Sequence, residues 1–409
     1  MRPTVDLNSL ERRVRQKIQG VPQWFWVVTH PGFEKTVAGE IKKILANSTS
    51  FVQDSLHTSF GGVEFQGRLE DMWRINAVAR TPSRVSMRIA QFKATQFPEL
   101  IRKIAEIPWE LYISPHAQGQ IQVTSRLSRL IHTDAIEERV AAGMAMHLGS
   151  WQAIIPQEAL PHTLPQTILV RFESDICTLS IDSSGELLFK RGYDKFTEEA
   201  PLRDTLASCV LQLAGWDDCE QLFDPMCGSG TFSLEALLSR KPSRWPGSIR
   251  RFAFEEWPYF RLPAYRHMLQ NLKPAVPFLP MAVIAGDKDS KAIETVNRNL
   301  LELNLPELPI KVSQQDFFKA VPSELPADFK LRNRTLIIMN PPYGIRISQE
   351  FPQLFQSIGD QLRKHYTGCR YAIMCPTPQD AQSLGLKWAR QAITKNGGLE
   401  VMIVCGMIP

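Results

Sequence analysis

The sequence predicts an α/β protein in which an α+β module, to about residue 184, leads into a doubly wound parallel sheet. Three observations carry this expectation. From about Leu202 onward, short apolar runs alternate strictly with helical patterns. The first of those runs opens into a glycine-bearing turn and then a helix. Before residue 184 the elements follow no fixed alternation, and one adjacent pair of strands reads as a hairpin.

The lead 1–23 carries Glu11, Arg12, Arg13, Arg15 and Lys17 and has no apolar core of a secretory signal, so it reads as an extension. Residues 24–29 are dense in aromatic and β-branched side chains, which predicts a strand. His30-Pro31-Gly32 is a turn. A helix is expected over 33–46, where Val37, Ile41 and Ile44 share one face. A strand at 61–65, a helix at 69–79, a strand at 84–92 and a helix at 98–105 follow. Residues 121–124 read as a strand and 134–147 as a helix with Ile136, Val140 and Met144 aligned; 169–172 and 176–181 form the hairpin-like pair. In the second half, strands are expected at 221–223, 281–285, 310–312, 336–339 and 371–374.

Composition narrows the class without naming a function. The 409 residues are 44% hydrophobic and 22% charged, which suits a globular protein of two or three domains. No run approaches the roughly 18 apolar residues of a membrane span. Lys and Arg number 47 against 42 Asp and Glu, a net +5 and a mild lean toward a polyanionic partner. Seven cysteines, none before Cys177 and none in a C-x-x-C pair, argue against a disulfide framework; the eight histidines do not cluster, so no metal site is expected. A reduced, cytoplasmic protein is the simplest reading.

Ligands of a doubly wound sheet bind outside the carboxyl ends of its strands, so the residues after each strand matter most. After the first comes Asp224-Pro225-Met226-Cys227-Gly228-Ser229-Gly230-Thr231. Its glycines allow a tight turn and close backbone approach, but it is neither G-x-G-x-x-G nor a Walker A loop, so no phosphate is implied. After the second comes Asp287-Lys288-Asp289. Asp289 suits a helix N-cap, which leaves Asp287 as the better acceptor for a ribose diol. After the third, Asp316 can accept from an exocyclic amine, and Phe317 or Phe318 can stack on a purine or be plain core. After the fourth comes Asn340-Pro341-Pro342-Tyr343-Gly344. Two prolines stiffen the loop and remove two N–H donors. What remains is the Asn340 side-chain oxygen and a backbone carbonyl as acceptors beside an aromatic ring, a set that suits a planar group bearing an NH₂.

The two strings, Asp224-Pro225-x-Cys227-Gly228-Ser229-Gly230-Thr231 and Asn340-Pro341-Pro342-Tyr343-Gly344, resemble the class I S-adenosylmethionine-dependent methyltransferases that act on exocyclic amines. Further strings resemble the bacterial 23S rRNA guanine-N2 methyltransferases: 188–193 with 200–207, Pro246-Gly247, 251–255, Trp257 and 396–400. The first half is similar to their ferredoxin-like lead and THUMP RNA-binding domain, through 31–34, 80–85 and 125–127. One departure is Thr133, where relatives usually carry lysine before Asp134-Ala135-Ile136. Relatives sometimes carry a second methyltransferase domain, for which this chain is expected to be too short.

The resemblance implies a Rossmann-like catalytic domain over 185–409 behind a ferredoxin-like and THUMP module over 24–184. It implies S-adenosylmethionine as cofactor and RNA, foremost 23S rRNA, as partner, with no membrane and no metal. tRNA guanine-N2 or adenine-N6 methylation, or an inert RNA-binding protein, are the alternatives. Asn340, Pro341, Pro342 and Tyr343 would be catalytic. Asp224, Pro225, Cys227, Gly228, Ser229, Gly230 and Thr231 would line the cofactor with Asp287, Asp316, Phe317 and Asn340; Cys227 needs no nucleophilic role. Two basic patches are candidates for RNA. One is the acid-free stretch Arg240, Lys241, Arg244, Trp245, Arg250 and Arg251. The other is Arg126 and Arg129 with Arg80, Arg84 and Arg88.

Overall fold

The computed structural model describes residues 7–114, 118–149, 152–153, 164–193, 195–197, 202–239, 250–272, 282–303, 309–319, 334–342 and 351–409. Two sheets organise them. The first is built from β1 (Gln23–Val28), β2 (Val52–Ser59), β3 (Gly62–Gly67), β4 (Arg84–Lys93), β5 (Gln118–Arg126), β6 (Gln152–Ala153), β7 (Gln166–Glu173) and β8 (Ile176–Asp182). Its order is β2-β3-β1-β4-β8-β7-β5-β6. Antiparallel pairing of β4 with β8 makes this half one continuous sheet. Helices α2 (Glu34–Ile44), α3 (Leu69–Val78), α4 (Phe97–Ala105) and α5 (Thr133–Leu148) belong to this half.

Several elements here escape the sequence reading, among them β2 and the helical turns of the lead. β2 is a mostly exposed edge strand, so it shows no apolar alternation. The polar lead forms α1 (Leu7–Val14) and a π-helical turn, Arg15–Gln19, which bury Val14 and Ile18. Arg13 pairs with Glu110 at 2.7 Å, so the described part of the lead packs on the body.

The second sheet holds β9 (Gln221–Asp224), β10 (Ala282–Asp287), β11 (Ile310–Gln314), β12 (Thr335–Met339), β13 (Arg370–Cys375), β14 (Trp388–Asn396) and β15 (Leu399–Met407) in the order β11-β10-β9-β12-β13-β15-β14. β11 to β13 run parallel, and the central β12 is buried at every residue, as a strand covered on both faces must be. β15 turns antiparallel against β13, and β14 forms the edge. Gly397 and Gly398, at φ 57° and 88°, supply the two left-handed residues that a tight hairpin between β14 and β15 needs. The helices of this half are α6 (Asp204–Leu213), α7 (Thr231–Ser239), α8 (Leu262–Gln270), α9 (Ser290–Glu302), α10 (Phe351–His365) and α11 (Pro378–Ser383). Among the described residues no helix is long and apolar enough to cross a membrane.

One apolar core runs through both halves, from Phe25 and Ile181 to Leu206 and Ile403. A buried ionic clamp crosses the same boundary. Arg191 donates to both carboxylate oxygens of Glu235 at 2.9 Å, and also to the carbonyls of Leu188 (3.1 Å) and Arg80 (2.8 Å). Glu235 also accepts from the Ser208 hydroxyl and lies 3.8 Å from the Arg80 guanidinium. Glu40 on α2 in turn accepts from the backbone N–H groups of Arg80 and Thr81 at 2.9 and 3.0 Å. The His30 ring meets the Thr205 hydroxyl at 3.1 Å, and burial followed by the charge of Arg203 holds this imidazole neutral, down at about 4. At Gly32 an added Cβ would lie 2.4 Å from the Ile393 carbonyl oxygen, so only glycine lets this turn seat on β14.

Removing one partner of a buried pair leaves the other uncompensated, so Glu235→Ala should cost about 3–5 kcal/mol in urea unfolding. A loss below about 1 kcal/mol would mean that the clamp does not hold the halves together.

Candidate functional site

The turn after β9 is tied to the end of β10 by two bonds. Cys227 N–H donates to the Gly286 carbonyl at 3.0 Å, and Gly228 N–H donates to Asp287 Oδ2 at 3.0 Å. Gly228 and Gly230 take φ of 51° and 80°. A Cβ at Gly228 would point into open space, while one at Gly230 would stand 3.0 Å from a Val296 methyl, so the turn lies close on α9. Cys227 is buried beside Ala285 and Val296, where a small side chain fits. Pro225 is buried, and Ser229 is half-buried. Thr231 opens α7.

Asp224 is 1% exposed. Ser233 Oγ donates to its Oδ2 at 2.8 Å, and its Oδ1 has no partner. Burial pushes this carboxyl up from 3.8 to about 7; the Ser233 hydrogen bond opposes the rise and the nearby Asp287 charge adds to it. Asp287 Oδ1 accepts from the Asp289 N–H at 3.0 Å, and Asp289 accepts from Lys291 N–H at 2.9 Å as the N-cap of α9. The capping role expected for Asp289 is therefore present.

Past β11, Asp316 Oδ1 accepts from Phe318 N–H at 3.0 Å. The Phe317 side chain is packed in the core. Its ring lies 5.8 Å from Tyr366, which stacks on Phe223, and it is 3% exposed. The core takes it because its apolar neighbours lie under the sheet, and Phe318 is the ring left 40% exposed. Past β12, Asn340 Oδ1 is buried without a partner; Pro341 is buried and Pro342 exposed. Tyr343 lies outside the described residues.

Three side chains near the site escape the sequence reading. Gln315 Nε2 is buried without a partner, and a Cβ at Gly286 would stand 2.3 Å from it. Lys195 Nζ bridges Asp204 Oδ1 at 2.7 Å and Thr231 Oγ1 at 2.9 Å. Asn299 donates to the Ser229 carbonyl at 3.1 Å and to the Phe196 carbonyl at 2.9 Å, and accepts from Phe196 N–H at 2.7 Å. It thus ties the segment 195–197 to the glycine turn. A signal for Asn299 was available: Ala292, Val296, Asn299 and Leu303 form one buried helical stripe, and a polar residue in such a stripe needs partners.

Most of the described arginines of the two basic patches have partners within the fold. Arg250 donates to the carbonyls of Glu186, Leu187 and Lys190 and lies over the Phe252 ring, a brace for the chain rather than a free cation. Arg251 pairs with Glu256 at 2.5 Å and Glu255 at 3.6 Å. Arg240, Lys241, Arg244 and Trp245 lie outside the described residues. In the other patch Arg80 belongs to the clamp, Arg84 faces Asp182 at 3.5 Å, and Arg88 pairs with Glu64 at 2.8 Å over the Trp26 ring. Arg126 and Arg129 remain exposed.

Asp224→Asn removes the raised titration. A carboxyl with an elevated folded pKa is still protonated in the fold when the unfolded chain has ionised, so stability falls as pH rises from 3.8 to about 7. Relative to the variant, the wild-type chain should lose on the order of 2–4 kcal/mol across that window, read by urea unfolding at each pH. Parallel curves would exclude the raised pKa.

Comparison with known proteins adds the family. Residues 191–403, more than half of the chain, match the family described as "RMKL-like, methyltransferase domain". Residues 25–86 match the RlmL ferredoxin-like domain. A Synechocystis protein named as a candidate RNA methyltransferase is 31% identical over 389 residues, covering 92% of this chain and 96% of that one. The ribosomal RNA large subunit methyltransferase K/L of Syntrophotalea carbinolica is 29% identical over 396 residues, 94% of this chain but 53% of that protein. The chain spans about half the length of the K/L enzymes it matches. A candidate methyltransferase solved with S-adenosylhomocysteine shares the fold at a TM-score of 0.75 and 22% identity, over 95% of this chain and 99% of that one. The cofactor is S-adenosylmethionine, and the site suits it. Asp224 Oδ1 and Asn340 Oδ1 are buried acceptors without donors, Gln315 Nε2 is a buried donor without an acceptor, and the space beside Gly228 is open. The chain belongs to the RMKL-like family of S-adenosylmethionine-dependent methyltransferases, with a ferredoxin-like domain ahead of the catalytic one.

Proposed function

We propose that this protein methylates the exocyclic N2 amine of a guanine in 23S rRNA, in the cytoplasm, with 24–184 as the RNA-binding module and 185–409 as the catalytic domain. The observation that carries the reading is the Asn340 side-chain oxygen, buried and without a partner at the end of β12, one strand from the glycine turn. An orphaned buried acceptor costs about 1–3 kcal/mol until a donor meets it, and an NH₂ group is such a donor. The names of the K/L relatives support the choice of ribosomal RNA.

The cofactor supplies a methyl group on a sulfonium, which leaves as a neutral thioether and needs no acid to expel it. The chain's part is orientation. Asn340 Oδ1 and the Pro341 carbonyl would accept from the guanine amine, keep its lone pair out of the ring and aim it at the methyl, and the surplus proton of the methylated amine passes to solvent. Pro341 and Pro342 hold these acceptors rigid, and alignment of this kind can contribute on the order of 7–11 kcal/mol. Tyr343 offers a ring for the base, which must be unpaired or flipped to enter. Asp224 with the 228–230 turn would hold the methionine end of the cofactor, Asp287 the ribose and Asp316 the adenine amine. Lys195 and Asn299 fix the turn from behind.

Asn340→Ala should lower kcat at least about a hundredfold while S-adenosylhomocysteine affinity, measured by calorimetry, stays within a few-fold. Activity retained within a few-fold would sink the mechanism. In cells lacking the gene, mass spectrometry of 23S rRNA nucleosides should show loss of an N2-methylguanosine. Intact guanosine methylation with loss of an N6-methyladenosine would instead assign the adenine reaction.

A further inference from the structure

Among the described residues, three non-glycine residues have positive φ: Leu127 at 48°, Ser174 at 51° and Asp175 at 65°. All three meet at one tip of the first sheet. Ser174 and Asp175 form the two-residue loop between the paired Glu173 and Ile176, where short polar side chains tolerate the left-handed region. Leu127 has no such excuse. It is branched, apolar and 84% exposed, so neither its backbone nor its side chain gains from the placement.

The placement is imposed by a dense set of bonds. Ser174 N–H donates to the Arg126 carbonyl at 3.3 Å, and Ser128 Oγ donates to the same carbonyl at 2.8 Å. Ser128 Oγ accepts from Asp175 N–H at 3.0 Å, and Arg129 N–H donates to Asp175 Oδ1 at 2.7 Å. Ser125 Oγ donates to the Leu130 carbonyl at 2.6 Å. The result is a stiff loop with Leu127 near its apex and exposed Ile131 on its flank.

The charges around this apex are mostly positive. Arg126 is exposed, and Arg129, with its side chain 76% exposed, meets Asp175 only at 3.9 Å. Exposed Lys93 stands opposite Ile176 on the neighbouring strand. Of the acids nearby, Asp175 accepts from the Arg129 backbone N–H at 2.7 Å, and Glu173 pairs with Arg171 at 2.7 Å. Strain of this kind persists where function uses it, and an apolar side chain presented between two cations suits a polyanion that also offers an apolar face.

We propose that Leu127 is a wedge that packs on the face of an unpaired RNA base while Arg126 and Arg129 take the flanking phosphates. The proposal rests on the RNA-substrate reading above. An unstacked base offers the apolar face, and its neighbours offer the phosphates, whereas in a duplex that face is covered.

Leu127→Asn separates the wedge from the scaffold, because asparagine suits the left-handed backbone and cannot replace the apolar contact. The variant should melt at or above the wild-type temperature and bind S-adenosylhomocysteine equally well. Its affinity for a mixed-sequence single-stranded RNA oligonucleotide should fall about tenfold. The slope of affinity against salt should stay unchanged, whereas Arg126→Ala with Arg129→Ala should flatten it. The same oligonucleotide annealed to its complement should bind variant and wild type alike. Unchanged affinity of Leu127→Asn for the single strand, or an equal loss on the duplex, would overturn the wedge while leaving the RNA reading intact. Failure of the wild-type protein to bind RNA at all would overturn both.

Discussion

The Arg191–Glu235 pair is the constraint from which the rest of the arrangement follows. A carboxylate taken fully out of water is tolerable only if its lone pairs are met, and Glu235 meets Arg191 in a two-point fork with the Ser208 hydroxyl beside it. Glu235 sits one helical turn after Thr231, at the head of the helix that carries the glycine turn. Arg191 is held in turn by the Arg80 carbonyl, and Arg80 by Glu40, so a charge in the first half orients a helix in the second. Such a pair contributes little net stability over an apolar substitute, but it accepts few alternative geometries. It fixes how the two sheets meet.

The carboxyl ends of the parallel strands show the opposite economy. There, Asp224, Gln315 and Asn340 each leave a buried polar atom without a partner, whereas the buried amide of Asn76 donates to Ser183 and to the Met72 carbonyl. Three unmet polar atoms at neighbouring strand ends keep hydrogen-bonding capacity there for a ligand, at a cost in stability. The segment 195–197 and Asn299 reinforce the same edge. They fix the backbone of the turn, so the open space beside Gly228 is bounded by rigid walls.

Much of this was legible in the sequence. The strand–helix alternation of the second half, its parallel order, the glycine turn after β9 and the acceptor loop after β12 all follow from local patterns. The Asp289 cap and the small-side-chain role of Cys227 were also readable locally. What was not readable depends on distant partners. Arg80, Arg84, Arg88, Arg250 and Arg251 read as a basic surface because charge is visible in a sequence while its neutralisation is not. Phe317 and Phe318 are equivalent on paper; only the fold, which sets Tyr366 just past α10 against one of them, decides which one the core takes.

Apolar periodicity and turn chemistry are local properties, so the sequence alone determined the element types, the two-part division and the residues at the strand ends. The tertiary structure decided which of those residues keep a free valence. It joined the first half into one eight-stranded sheet through β4 and β8, braced the polar lead against the body, engaged most of the described arginines of the two basic patches and left Leu127 exposed beside Arg126 and Arg129. The reason is physical: burial and hydrogen-bond satisfaction are set by groups far apart in the chain, and a group's chemistry depends on what remains unmet after packing.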